Sequence, residues 1–197
     1  MKVFFSIFFL FLFFFSFSQK KQKTIDSLVV QSLIRASDTT KVFNIKNILG
    51  SNAFLYKNRF TFIPSINPLN PDKLKRISSK FGKRFHPIDN KVKQHSGLDI
   101  SAKKGTAIHA SADGTVIQVV TSGYGYGNQV VIKHDYGFKT RYAHLHSAIV
   151  KKGDIVKKGK IIGFVGNSGK STGYHLHYEI LKFNRHIDPY PFCFIDL

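Results

Sequence analysis

From Leu74 onward the chain is a succession of short apolar-containing runs, each cut off by glycine. Residues 106–110, 115–120, 129–134, 139–145, 160–165 and 175–181 read as strands. Strands this short and closely spaced bury one face each and must pair with one another to do so. The expected fold is therefore all-β, an antiparallel β-sandwich or barrel. Gly123, Gly125 and Gly127 predict a flexible hairpin loop between two of the strands. A Lys-Lys-Gly element recurs at 103–105, 151–153 and 157–159, each ahead of an apolar run or strand, a weak internal echo.

The N-terminal part is different. Residues 3–17 are almost wholly apolar and rich in phenylalanine, behind Met1-Lys2. Ser16 and Ser18 supply small residues ahead of Gln19, so 1–18 reads as a secretory signal peptide. An uncleaved membrane anchor is the alternative, but the run is short for a ~30 Å hydrocarbon core. No stable membrane insertion is expected after cleavage. Residues 19–73 read as an extension and linker. Ile25, Leu28, Val29 and Leu33 stand at helical spacing behind Thr24 as a candidate N-cap. Prolines and asparagines at 64–71 predict an irregular linker, and residues 74–197 form the main domain.

Cys193 is the only cysteine, which excludes an internal disulfide and a multi-cysteine zinc site. The formal net charge is +19, which favours anionic partners. With export, a bacterial wall or envelope surface is expected rather than nucleic acid.

His175-Leu176-His177 carries the chemistry. Two histidines two positions apart on a strand share a face. His95-Ser-Gly-Leu-Asp99 adds an imidazole and a carboxylate upstream, and Tyr142-Ala-His144-Leu145 lies between. Such donors suit Zn²⁺, and three protein ligands leave a fourth position for water. This is the layout of a hydrolytic metal site. Gly169-Lys170-Ser171 echoes the end of a phosphate-binding loop, but Phe164 stands where its first glycine must be.

In order and framework, residues 77–191 resemble the lysostaphin/LytM-type zinc endopeptidases that cut peptidoglycan peptides. Phe81 to Pro87 is similar to the family's opening segment, His95-x-x-x-Asp99 to its first metal motif, and Tyr142 to Leu145 to its middle histidine motif. Gly153, Gly159, Gly163 and Gly166 fit its glycine-punctuated run. Ser171 to Glu179 fits its last motif, with Tyr174 where the family often has proline. The resemblance implies a duplicated hybrid motif, with His95, Asp99 and His177 as zinc ligands. It makes His144 and His175 the catalytic pair, and the roles within that pair stay open. It also implies peptidoglycan as partner, cleaved within stem peptides or cross-links, outside the cytoplasm. The alternative is a non-catalytic wall-binding or regulatory module on the same fold, but all five site residues are present.

Other residues carry weaker expectations. Glu179 shares the strand parity of His175 and His177 and is expected to hydrogen-bond a ligand. Arg84, His86, His109, His146 and His186 read as structural or surface residues, and His134 as a strand-end histidine near the site floor. Tyr124 and Tyr126 are expected to wall the cleft. Residues 19–63 read as a packing or tethering extension. A covering prosegment, with Asn44, Asn47 or Asn52 reaching the metal, is the other possibility.

Overall fold

The computed structural model describes residues 2–86 and 91–195, without the side chains of 2–17, 54, 85 and 86. His86, expected to be structural, thus has its side chain outside the described residues. The chain forms two compact units, Met1–Ala36 and Ser37–Leu197.

The first unit is helix α1 (Lys2–Arg35). The helix expected to start at Thr24 is the end of this longer one. Residues 18–23 are serine and long straight-chain side chains that tolerate helix, with no breaker. Thr24 is accordingly not a cap: its Oγ1 donates back to the Lys20 carbonyl at 3.0 Å. Among the described residues, no helix is long and apolar enough to cross a membrane.

The second unit starts with α2 (Thr39–Leu49). Asp38 caps it by accepting from Lys41 N at 2.9 Å, and Gly50 ends it at φ 52°. A 3₁₀ stretch (Gly50–Tyr56) and α3 (Lys57–Phe60) follow. The proline-rich stretch behind them is irregular, as expected, yet it is fastened to the β-domain. Asp113 N donates to Thr61 O at 2.8 Å, Ser65 N to Ser111 O at 3.1 Å and His109 N to Pro68 O at 2.8 Å. Ile63 and Leu69 are fully buried.

The β-domain comprises β1 (Leu74–Ser79), β2 (Gly82–His86), β3 (Lys91–His95), β4 (Leu98–Ala102), β5 (Ala107–His109) and β6 (Gly114–Val120). It continues with β7 (Asn128–Lys133), β8 (Phe138–Ala148), β9 (Ile155–Val156), β10 (Ile161–Val165), β11 (His175–Lys182) and β12 (Arg185–Ile187). Among the described residues the main antiparallel sheet runs β1-β4-β11-β8-β7-β6-β9. Strand β10 joins β5 to β8, β12 pairs with β11, and β2 and β3 form a separate hairpin. The mostly antiparallel β architecture with few helices agrees with expectation, and each of the six expected strands is present.

Alternation on the central strands divides core from cleft. Leu98, Ile100 and Ala102 of β4 and Leu176, Tyr178 and Ile180 of β11 point into the core. Asp99, Ser101, His175, His177 and Glu179, of opposite parity, point the other way. Each fully buried aliphatic or aromatic side chain contributes roughly 1.5–3 kcal/mol, so a one-residue slip of β11 would exchange this core for its histidines.

The core contains a polar seam. Tyr178 OH donates to Ser111 Oγ at 2.7 Å, and Ser111 N donates to Tyr142 OH at 2.8 Å. Tyr142 OH lies 3.1 Å from Thr140 Oγ1, which lies 2.8 Å from His134 Nε2. His134 Nδ1 donates to the Asp113 carbonyl at 2.7 Å. His134 was expected near the site floor; it lies here instead, since this carbonyl and the Thr140 hydroxyl draw its ring into the seam. Burial pushes its pKa down to about 4, against the raising effect of the Asp113 carbonyl and carboxylate.

A base with a depressed folded-state pKa binds fewer protons folded than unfolded between pH 6.5 and 4, so stability falls as pH drops through that window. By pH 4.5 the loss from His134 alone is roughly 2–3 kcal/mol. His134→Gln should lower stability at pH 7 but lose less on acidification. Urea unfolding at pH 7 and 4.5 checks this, and equal losses in both proteins would refute it.

Candidate metal centre

Strand register assembles the site. Asp99 of β4 pairs with Ser79 of β1 on one side and His177 of β11 on the other. His95 ends β3, and the short turn through Gly97 brings the chain back to Asp99 on the neighbouring strand. A Cβ at Gly97 would sit 2.5 Å from the Tyr178 carbonyl oxygen and 2.9 Å from His177 Cε1. Glycine is therefore what lets the turn lie against β11.

His95, Asp99 and His177 come together, all buried, each offering one ligand atom within 4.8 Å of the others. His95 Nε2 is 3.1 Å from Asp99 Oδ1 and 3.2 Å from His177 Nδ1, and the last two atoms are 2.7 Å apart. The outer ring nitrogens decide the tautomers. His95 Nδ1 donates to the Lys80 carbonyl at 2.7 Å. His177 Nε2 donates to Glu179 Oε1 at 3.1 Å. In the neutral rings, Nε2 of His95 and Nδ1 of His177 are then bare lone pairs, and they converge on a carboxylate oxygen. Three lone pairs facing one another repel unless a cation lies between them. The residues thus fit a borderline-soft divalent metal with nitrogen and oxygen ligands.

The electrostatics agree. Burial opposes ionisation of Asp99, but hydrogen bonds with His177 and His95 outweigh it and hold the carboxyl well below the usual range. Burial likewise disfavours charge on His177, but Asp99 and Glu179 outweigh it and raise its pKa. In the bare protein a proton is drawn to the place a metal would take. Arg84 Nη2 donates to Asp99 Oδ2 at 3.3 Å and so steadies the other carboxylate oxygen.

Glu179 is fully buried and accepts from many sides: Ser96 Oγ at 2.6 Å, Tyr126 OH at 2.7 Å, Arg141 Nη1 at 2.9 Å and His186 Nε2 at 3.2 Å, besides His177. Burial raises its pKa, but bonds from His177, Ser96 and Tyr126 outweigh it and lower it to about 2. The expected bond to a ligand is present. The roles of Ser96, Arg141 and His186 around it had no signal in the sequence beyond odd parity for Arg141 on β8.

His144 and His175 flank the cluster with ring centroids 4.8 Å apart. Regular alternation on β8 would send His144 into the core beside Tyr142. A left-handed backbone, φ 60°, turns it to the cleft instead. For a non-glycine residue this costs about 1–2 kcal/mol. His144 Nδ1 donates to the Ser168 carbonyl at 2.8 Å and His175 Nδ1 to the Gly173 carbonyl at 2.9 Å, so both turn Nε2 away from these bonds. His175 Nε2 is 3.7 Å from Asp99 Oδ1. Burial lowers the His144 pKa to about 4, although the Ser168 carbonyl opposes this, so it is neutral at pH 7.

These residues line an open cleft of about 530 Å³. Gly125 and Tyr126 wall it, whereas Tyr124 is 89% exposed and does not line it. The 125–127 loop is locked to residues 166–170: Lys170 N donates to Gly125 O at 2.8 Å. A Cβ at Gly127 would collide with the Ser168 backbone. Asn44, Asn47 and Asn52 lie on α2 and the 3₁₀ stretch, and no residue of 37–63 is among the described lining residues.

Comparison with known proteins places this geometry. The model of peptidase family M23 matches residues 93–189. The chain is 50% identical over 104 residues to the DD-carboxypeptidase/endopeptidase Mpg of Neisseria meningitidis, covering 53% of this chain and 24% of that protein. It thus spans about a quarter of the length of the curated relatives it first matches. A solved zinc-containing peptidase from Vibrio cholerae superposes with TM-score 0.59 at 39% identity, over 69% of this chain and 40% of that one. The catalytic domain of the prophage-encoded M23 protein EnpA of Enterococcus faecalis superposes with TM-score 0.55 at 35% identity, over 64% of this chain and 94% of that domain. Matched through its histidine motifs, and along nearly the whole of a solved catalytic domain, the chain belongs to the metallopeptidase family M23.

Proposed function

We propose that this protein is a zinc-dependent endopeptidase that hydrolyses peptide bonds in bacterial peptidoglycan outside the cytoplasm. The observation that carries the reading is the convergence of three buried lone pairs, from His95, Asp99 and His177, at the floor of an open cleft. Zn²⁺ held there would acidify a bound water and polarise the scissile carbonyl. The flanking histidines do the proton work. His144 and His175, each with Nδ1 anchored on a carbonyl, offer Nε2 to take a proton from water and return it to the leaving amine. The open cleft suits an extended peptide. The likeness to the Neisseria DD-carboxypeptidase/endopeptidase supports a D-alanyl cross-link rather than a glycine bridge as the bond cut.

Digestion of purified muropeptides, with mass analysis of the products, tests the activity and identifies the bond. His177→Ala should lose zinc and turnover together, since two ligands hold the metal poorly. His144→Asn should keep a full zinc equivalent and lose about 100-fold or more in turnover. Asparagine tolerates the left-handed backbone there, so the fold is spared. Metal analysis of both variants decides the assignment, and zinc loss from His144→Asn would make it a ligand.

Glu179→Gln keeps the shape but frees the tautomer of His177 and leaves Arg141 without its charge partner. Zinc affinity should fall about 10- to 100-fold, measured by chelator competition. Unchanged affinity would mean that Glu179 serves the fold alone.

The reading of residues 1–18 as a signal peptide implies export, and N-terminal sequencing from the native host checks it. The mature chain should begin at or near Gln19; an intact Met1 on membrane-bound material would show a retained anchor.

A further inference from the structure

The floor of the cleft continues beyond the histidines. Arg76 of β1 pairs with Ser101 of β4, and Ser101 pairs with His175 of β11. This row runs beside the row of Ser79, Asp99 and His177. Paired residues of adjacent strands project from one face, and strands are ~4.8 Å apart. The Arg76 backbone is therefore on the order of 10 Å from that of His175, with Ser101 between. A second depression opens there, lined by Lys75, Arg76, Ser101, Lys103, Lys104 and Tyr174. It shares Arg76, Ser101 and Tyr174 with the cleft, so Tyr174 marks the boundary of the two. Among the described residues, no acidic side chain lines it. Among the described residues, none of its four cations has a carboxylate partner, unlike Lys41, Arg84, Arg141 and Lys157.

We infer that this depression is a carboxylate subsite, which holds a free carboxylate of the peptide while the scissile bond lies over the histidines. The inference rests on the peptidase reading above and adds what the substrate must carry. Arg76 supplies a planar fork that matches a carboxylate in two bonds, and the lysines supply point charges around it. An extended peptide advances ~3.4 Å per residue, so the recognised carboxylate stands two to three residues from the bond cut. Tyr174, next to His175 and 50% exposed, stands as an aromatic wall between the two depressions, and that wall directs the chain along the row.

The test uses the full chain and two sets of cross-linked stem peptides, one with free carboxylates and one with the same groups amidated. The variant combines Arg76→Gln, Lys103→Gln and Lys104→Gln, all exposed positions. Its KM on the carboxylate peptides should rise about tenfold with kcat unchanged, and its KM on the amidated peptides should stay as in the wild type. Equal losses on both sets overturn the subsite, as does a wild type that does not discriminate between them. Lys151→Gln with Lys152→Gln removes charge elsewhere and should change neither; an equal loss there would show an effect of net charge and overturn the proposal. Calorimetric binding runs in parallel. Binding without cleavage sinks the hydrolase reading and leaves the subsite to the same tenfold criterion in Kd. Neither binding nor cleavage by the wild type overturns both.

Discussion

The hydrogen bond between Glu179 and His177 decides the chemistry of the whole centre. By holding the proton on Nε2, the carboxylate leaves Nδ1 bare and turned toward Asp99 and His95. Were the proton on the other nitrogen, His177 would simply donate to Asp99 and the cradle for a cation would close. A buried carboxylate is expensive without partners, so the protein surrounds this one with donors from Ser96, Tyr126, Arg141 and His186. Those donors come from different strands and loops, which ties the orientation of one imidazole to the assembly of the sheet.

The sheet does this by register more than by local shape. Ser79, Asp99 and His177 occupy one row across three strands, and Arg76, Ser101 and His175 the next. Asp99 and His177, 78 positions apart in sequence, and Ser101 and His175, 74 apart, thereby become lateral neighbours. His144 is the exception. Its strand would bury it, and only a left-handed residue reverses it toward the cleft. The other members of the site are held by regular structure, whereas this one is held by a local strain that the Ser168 carbonyl and the Tyr126 carbonyl help to retain.

Much of this was legible in the residues. The glycine-bounded runs marked the long central strands, and the parity of His175, His177 and Glu179 placed all three on one face. The strands that escaped notice are those whose sequences carry little apolar alternation. Strand β1, Leu-Lys-Arg-Ile-Ser-Ser, has no buried position and the lysine-rich β3 only one, so pairing rather than burial makes them strands. The helical content of residues 39–60 was hidden for a similar reason, since mixed polar and apolar residues give no clean period. Nor could spacing reveal the backbone carbonyls of Lys80, Ser168 and Gly173, which set the tautomers of three histidines. Such partners are written in the fold, not in side-chain identity.

The interlock of the two glycine loops has a mechanical consequence. Residues 125–127 wall the cleft, and residues 166–170 carry the carbonyl on which His144 is hung. Because Gly127 lies flush against Ser168, and Lys170 is bonded to Gly125, neither loop can swing alone. A bulky ligand that pushed the wall outward would drag the Ser168 carbonyl with it and rotate the imidazole it holds. Cleft width and the orientation of His144 are thus geared to one another, and a guest too wide for the groove would turn that imidazole as it entered.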